Sequence, residues 1–136
     1  MTLFFRALGE LSLVEEFSAV PASLQACWYD DKPGLQAEQA LLDWLNRYRT
    51  RALEENRQQS ERQAAMHNVN PLYVLRNWLA QEAIDAAEQG EPGKLHELDQ
   101  VLQQPYTSQE GKDHLAQKRP EWARQRAGCS MLSCSS

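Results

Sequence analysis

Apolar residues return at three- and four-residue steps along most of this chain, the spacing that lines one face of an α-helix. Leu3, Phe4, Phe5, Leu8 and Leu11 share one side of a short opening helix, weakened by Gly9. Leu13 to Phe17 adds a turn before Pro21, Ser23 to Tyr29 is short and aromatic-rich, and Asp30-Asp31-Lys32-Pro33-Gly34 is a turn by composition. The clearest amphipathic stretch follows. Ala37, Ala40, Leu41, Trp44, Leu45, Tyr48 and Ala52 form its apolar side, while Glu38, Asp43, Asn46, Arg47 and Arg49 face away. This pattern predicts a helix from about Gln36 to Glu55.

Asn56 to Gln63 is polar and reads as a solvated continuation or a break. Asn70-Pro71 predicts a helix start, because Asn can cap and Pro suits the first helical position. Leu72, Leu75, Leu79, Ala83 and Ala86 then make a stripe flanked by Val74 and Trp78, and Gly90 ends it in the left-handed conformation. Pro92 opens a further helix carrying Leu95, Leu98, Val101 and Leu102, which Pro105 stops. From Tyr106 the chain turns polar and basic, with Pro120 and Trp122 as last anchors. The expectation is an all-α fold: about five helices around one Leu/Ala-rich core over residues 1–127, then a flexible tail at 128–136.

Composition supports this. The 136 residues suffice for one domain, and 18 Leu and 16 Ala against 5 Val and 1 Ile favour helices over a sandwich, barrel or Rossmann sheet. A net charge of −5 removes the long-range attraction that duplex nucleic-acid binders rely on, so no nucleic-acid partner is expected. The charge is uneven. Lys112 to Arg126 carries five Lys or Arg against two Asp or Glu. No apolar run approaches the roughly 18–20 residues of a membrane span, so no membrane partner is expected either. The start lacks the basic-then-apolar layout of a secretory signal. With Thr2 its only cap and two Phe rings to cover, it reads as a cut inside a longer protein. Cys27, Cys129 and Cys134 show neither zinc spacing nor a disulfide framework, and a reducing cytoplasm is the compartment expected.

Motifs for chemistry are sparse. The six glycines are scattered at element ends, and there is no phosphate loop, Walker lysine, HExxH or nucleophile elbow. No catalytic, cofactor-binding or metal-binding residue is assigned. His67 reads as a loop residue bonding to backbone, and His96 as a solvated position beside its apolar stripe. Glu54, Glu55 and Glu61 alternate with Arg51, Arg57 and Arg62, which reads as surface pairing. Trp28, Trp44, Trp78 and Trp122 read as core and edge anchors. The basic stretch around Lys118, Arg119, Arg124 and Arg126 reads as a solvated tail, or one docking on acidic surface of the same protein. In the small-residue ending, the thiols of Cys129 and Cys134 are both expected to be accessible.

Taken together, Thr2-Leu-Phe-Phe-Arg6, Asn70-Pro-Leu-Tyr-Val-Leu-Arg-Asn77 with Trp78-Leu-Ala80, Pro120-Glu-Trp122 and the ending Cys134-Ser-Ser136 resemble the carboxy-terminal part of the selenoprotein O family, the YdiU type. The resemblance spans essentially the whole chain, in order. It implies a kinase-like (pseudokinase) fold, of which these helices would extend the carboxy-terminal lobe. It also implies transfer of AMP, or UMP in some bacterial members, from nucleoside triphosphate to protein hydroxyl groups. ATP and Mg2+ or Mn2+ are the cofactors implied for the parent protein, with none in this chain. The family's nucleotide-binding and catalytic residues lie in an amino-terminal kinase-like portion, the implied partner of this segment, and no position here matches them. The resemblance makes Cys134 a redox-regulatory thiol; Cys129, outside the shared ending, is a possible competitor. Cys27 reads as a buried, inert thiol. The isolated chain is expected to be inactive in nucleotidyl transfer. The rival reading is a stand-alone helical interaction module without enzymatic activity, binding a partner through its apolar amino-terminal face. The amino-terminal helix bearing Phe4 and Phe5 is expected to leave an exposed apolar patch when the preceding domain is absent, or to drive self-association.

Overall fold

The computed structural model describes residues 1–28, 33–126 and 128–129. Among these are six α-helices and no strand: α1 (Thr2–Glu10), α2 (Ala22–Gln25), α3 (Leu35–Glu54), α4 (Gln59–Val69), α5 (Asn77–Glu88) and α6 (Gly93–Leu102). Two single 3-10 turns follow, at Asp113–Ala116 and Glu121–Arg124. The fold is all-α, as the composition predicts. The single core is not found. The chain divides at Asn70 and Pro71 into two compact units, each with its own buried cluster.

In the first unit Leu8, Val20, Leu24 and Leu45 are buried, ringed by Phe5, Phe17, Leu41 and Met66. Phe4 and Phe5, expected to lie bare, are half-buried. Phe4 packs 6.3 Å from the Trp44 ring of α3, and Trp44 stacks on Tyr48 at 5.6 Å. Helices α1 and α4 run antiparallel. Gly9 allows their approach, since a Cβ there would stand 3.2 Å from Met66 Cβ. The residue that weakens α1 locally is thus the one that lets α4 close on it.

The polar run after α3 is a break followed by a helix. Asn56 takes a left-handed φ of 50°, which ends α3. The Gln58 amide then donates to the Glu61 carboxylate at 3.3 Å, satisfying an otherwise orphaned group at the start of α4.

Asn70-Pro71 does not open a helix. The Asn70 amide and Nδ2 both donate to the Met66 carbonyl, at 3.1 and 2.9 Å, so Asn70 closes α4. Past Pro71 the amides of Leu72 and Tyr73 both donate to the Pro105 carbonyl, at 2.8 and 3.0 Å. These long-range bonds displace helical ones, and α5 begins only at Asn77. The predicted stripe is therefore split: Leu79 and Ala83 are buried, whereas Leu75 is exposed. Gly90 does end α5 as expected, at φ +84°, and the Gly90 and Glu91 amides cap the Ala87 and Ala86 carbonyls.

Tyr73, Trp78, Leu79, Ala83, Leu98 and Val101 form the second core, completed by Leu115, Ala123 and Cys129. Trp122, predicted as a last anchor, stays 44% exposed and meets the Trp78 ring edge-on at 6.4 Å. The small Ala123 beside it is the buried contact. Set edge-to-face with Trp78, the indole covers apolar surface without entering the core.

Candidate functional site

Cys134, the proposed redox thiol, lies outside the described residues, as does the tail around it. Cys129 corrects the expectation of accessibility. It is buried in the second core with Trp78, Leu115 and Ala123, because the chain turns back onto the helices before it reaches this residue. Gly128 makes that turn at φ +82°, and a Cβ there would fall 2.5 Å from Gln81 Oε1. The positive φ favours glycine there, and a side chain would also have to displace the end of Gln81. Cys27 is half-buried, and its Sγ–H donates to the Ser23 carbonyl at 3.4 Å.

The basic segment docks on acidic surface of its own unit. Arg126 meets Asp85 at 2.6 Å and lies over the Trp122 ring, 5.8 Å from its centre. Lys112 meets Glu97 at 2.7 Å, with His114 3.7 Å from the same carboxylate. Gln81 donates to Asp85 at 2.9 Å, and this bond, with Arg126 next, holds the Asp85 carboxyl below its ordinary range. Glu97 is likewise lowered, first by the bond from Lys112.

His67 is not a loop residue but sits in the last turn of α4. The backbone contact foreseen for it is present: Nε2 stands 3.3 Å from the Arg6 carbonyl, and also 3.4 Å from the Glu10 carboxylate. Arg6 Nη1 donates to the carbonyls of His67 and Asn70, at 3.3 and 2.9 Å, covering the end of α4. His96 is exposed, as expected.

Arg62 departs furthest from the sequence reading. Far from pairing at the surface, it is 8% exposed and inserts between α1 and α3. Nη1 donates to the Leu8 carbonyl at 3.0 Å and the Tyr48 hydroxyl at 3.1 Å, and Nη2 to the Leu11 carbonyl and Gln59 Oε1. Every partner is neutral. A cation at the carboxy-terminal end of α1 is favoured by the helix dipole and satisfies carbonyls that the helix leaves open. The signal lay in the period: Arg62 stands one turn before Met66, which packs on the first core, so a residue read as polar shared that helix face.

Beside Arg62, between α3 and α4, is a cleft of about 290 Å³. Tyr48, Ala52, Ala65 and Met66 form its apolar floor, and Arg51, Glu55 and Arg57 its rim. Arg57 faces Glu55 at 3.6 Å, a surface pair of the kind the alternating charges predict. Among the described residues no group of three or more His, Cys, Asp or Glu side chains stands together to hold a metal, and no helix is long and apolar enough to cross a membrane.

Comparison with known proteins places these observations in a family context. No family model matches the chain. It is 50% identical over all 136 residues to "Protein nucleotidyltransferase YdiU" of Xanthomonas oryzae pv. oryzae, and 52% identical over the same length to the protein of that name from Tolumonas auensis. A protein of the same name from Rhodopirellula baltica is 45% identical over 147 aligned residues. The whole chain is covered each time, but it spans only 26–27% of the length of these relatives. The match falls on their carboxy-terminal part. The likeness to the selenoprotein O (YdiU) family drawn from scattered motifs thus extends along the entire sequence.

Proposed function

We propose that this chain, about half identical along its whole length to YdiU nucleotidyltransferases, is the carboxy-terminal helical portion of such an enzyme. The parent transfers AMP or UMP from a nucleoside triphosphate to hydroxyl groups of protein substrates. The observation that carries the reading is the unbroken homology over 136 residues to relatives about four times as long.

In this reading the chain supplies support and not chemistry. Asp85 and Glu97 are each engaged by cations, Arg126 and Lys112, a pairing within the second unit that suits a structural role. ATP and Mg2+ or Mn2+, and the steps they take part in, are assigned to the remainder of the longer protein. The neighbour of these helices is the kinase-like portion of the same polypeptide. Cys134 carries the redox role that the resemblance implies, and burial of Cys129 in the second core takes it out of competition for that role while the unit is folded.

The test is a chimaera. The matching quarter of the Xanthomonas relative is replaced by this chain, and transfer of labelled nucleotide from ATP to protein is measured. The chimaera is expected to be active, and the 136-residue chain alone inactive. Transfer by the chain alone, or a folded chimaera without activity, would overturn the proposal. A Cys134→Ser chimaera whose activity stays as sensitive to oxidant as the unaltered one would remove the redox role.

A further inference from the structure

We propose that the cleft between α3 and α4 is a docking site for a polypeptide segment presenting a carboxylate next to an apolar side chain. The inference stands apart from the nucleotidyl-transfer reading and concerns a surface that this reading leaves unused. It begins with charge. Arg62 is buried, and its four Nη hydrogens go to two carbonyls, a hydroxyl and an amide oxygen, none of them negative. A buried guanidinium without a counter-charge leaves a positive potential in low-dielectric surroundings, where it acts most strongly. Arg51, on the rim, has no ion pair among the described residues. The rim carboxylate of Glu55 is drawn to Arg57 at 3.6 Å, so among the described residues neither Arg51 nor Arg62 has a carboxylate in an ion pair, and the carbonyl end of α1 offsets only part of the Arg62 charge.

The shape selects the second feature of the occupant. The Tyr48 ring, Ala52, Ala65 and Met66 line the floor, and about 290 Å³ is room for one or two side chains. A bare phosphate would meet the charge and leave this floor wet. A neutral apolar side chain would do the reverse. An acidic residue adjacent to a leucine-like one satisfies both, its carboxylate on Arg51 and toward Arg62, its neighbour over Tyr48 and Met66. Charge-assisted bonds from Arg to carboxylate are the strong class of hydrogen bond, so the charge carries the discrimination.

The experiment titrates the isotope-labelled 136-residue chain with a capped hexapeptide of alternating glutamate and leucine, followed by amide chemical shifts. The controls are its glutamine–leucine counterpart and inorganic phosphate. Shifts should concentrate at Tyr48, Arg51, Ala52, Ala65 and Met66, and the glutamine peptide should bind about tenfold more weakly. Arg51→Gln should weaken the glutamate peptide by a similar factor and leave the glutamine peptide unchanged. Ala65→Leu, at an exposed position, should fill the floor and weaken both, while the circular dichroism of both variants matches the parent's. Equal binding of the two peptides, displacement by phosphate at equal concentration, shifts centred elsewhere, or no binding at millimolar peptide would each overturn the proposal.

Discussion

The Asn46 side chain on α3 exchanges two hydrogen bonds with the backbone of Phe17: the Phe17 amide donates to Asn46 Oδ1 at 2.9 Å, and Asn46 Nδ2 donates to the Phe17 carbonyl at 3.0 Å. One polar side chain thereby replaces a backbone partner for a segment without regular structure, and Phe17 is held against the first core. Arg49, one turn on, donates to the carbonyls of Leu13 and Val14, both at 2.9 Å. Asn46→Ala should lower stability by about 1–2 kcal/mol, read from chemical denaturation. Amide exchange at Phe17 should accelerate more than exchange in α5. Unchanged protection at Phe17 would refute the assigned role.

Arg62 should be costly to lose. Arg62→Met keeps much of the apolar stem but leaves the Leu8 and Leu11 carbonyls without their donor, and a loss of about 3 kcal/mol is expected. Arg62→Lys should rescue little, since an ammonium lacks the planar fork that reaches four acceptors at once. A denaturation midpoint within error of the parent's would contradict this.

Gly9 tests the α1–α4 approach. Gly9→Val places a branched side chain where Met66 Cβ already stands 3.2 Å from an ideal Cβ, and should destabilise by about 2 kcal/mol despite removing glycine from a helix. Met66→Ala in the same chain should recover part of the loss, a coupling that a double-mutant cycle detects.

Acid should loosen the second unit. Asp85 and Glu97 titrate below their unfolded-state values, so each contributes stability that is complete above the unfolded pKa and lost as pH falls through the folded one. The Tm should be flat above about pH 5 and decline below about pH 4. Asp85→Asn or Glu97→Gln should flatten the decline. An unaltered acid profile in both variants would show that these pairs are not its source.

The three cysteines should react unequally. Under native conditions Cys129 is expected to resist alkylation, and to label rapidly once denaturant exposes it, as peptide mass analysis can resolve. Arg126→Ala, which releases the contacts with Asp85 and Trp122 just before this residue, should speed its native labelling several-fold. Prompt labelling of Cys129 in the unaltered chain would place it at the surface.

Where local rules met no competitor, the sequence could be read directly. The heptad-like spacing from Ala37 to Ala52 gave α3 to within a residue, and Gly90 ended α5 as its conformational freedom requires. Asn70-Pro71 has every local mark of a helix start, yet the Pro105 carbonyl, over thirty residues away in the chain, claims the next two free amides. Arg62 and Asn46 escape local rules for a related reason. Their long or forked polar ends bond to backbone that only the folded chain brings near, and no local window contains Leu8 or Phe17.

The order of apolar and polar residues therefore determined that this protein is helical, where most helices run, and which family it resembles, because helix formation depends on neighbours three and four positions apart. Tertiary structure decided that there are two cores, that Cys129 is enclosed, and that an arginine without a carboxylate lies beside an apolar cleft. Those outcomes depend on which distant carbonyls and rings meet when entropy is surrendered to packing, and that information is distributed over the whole chain.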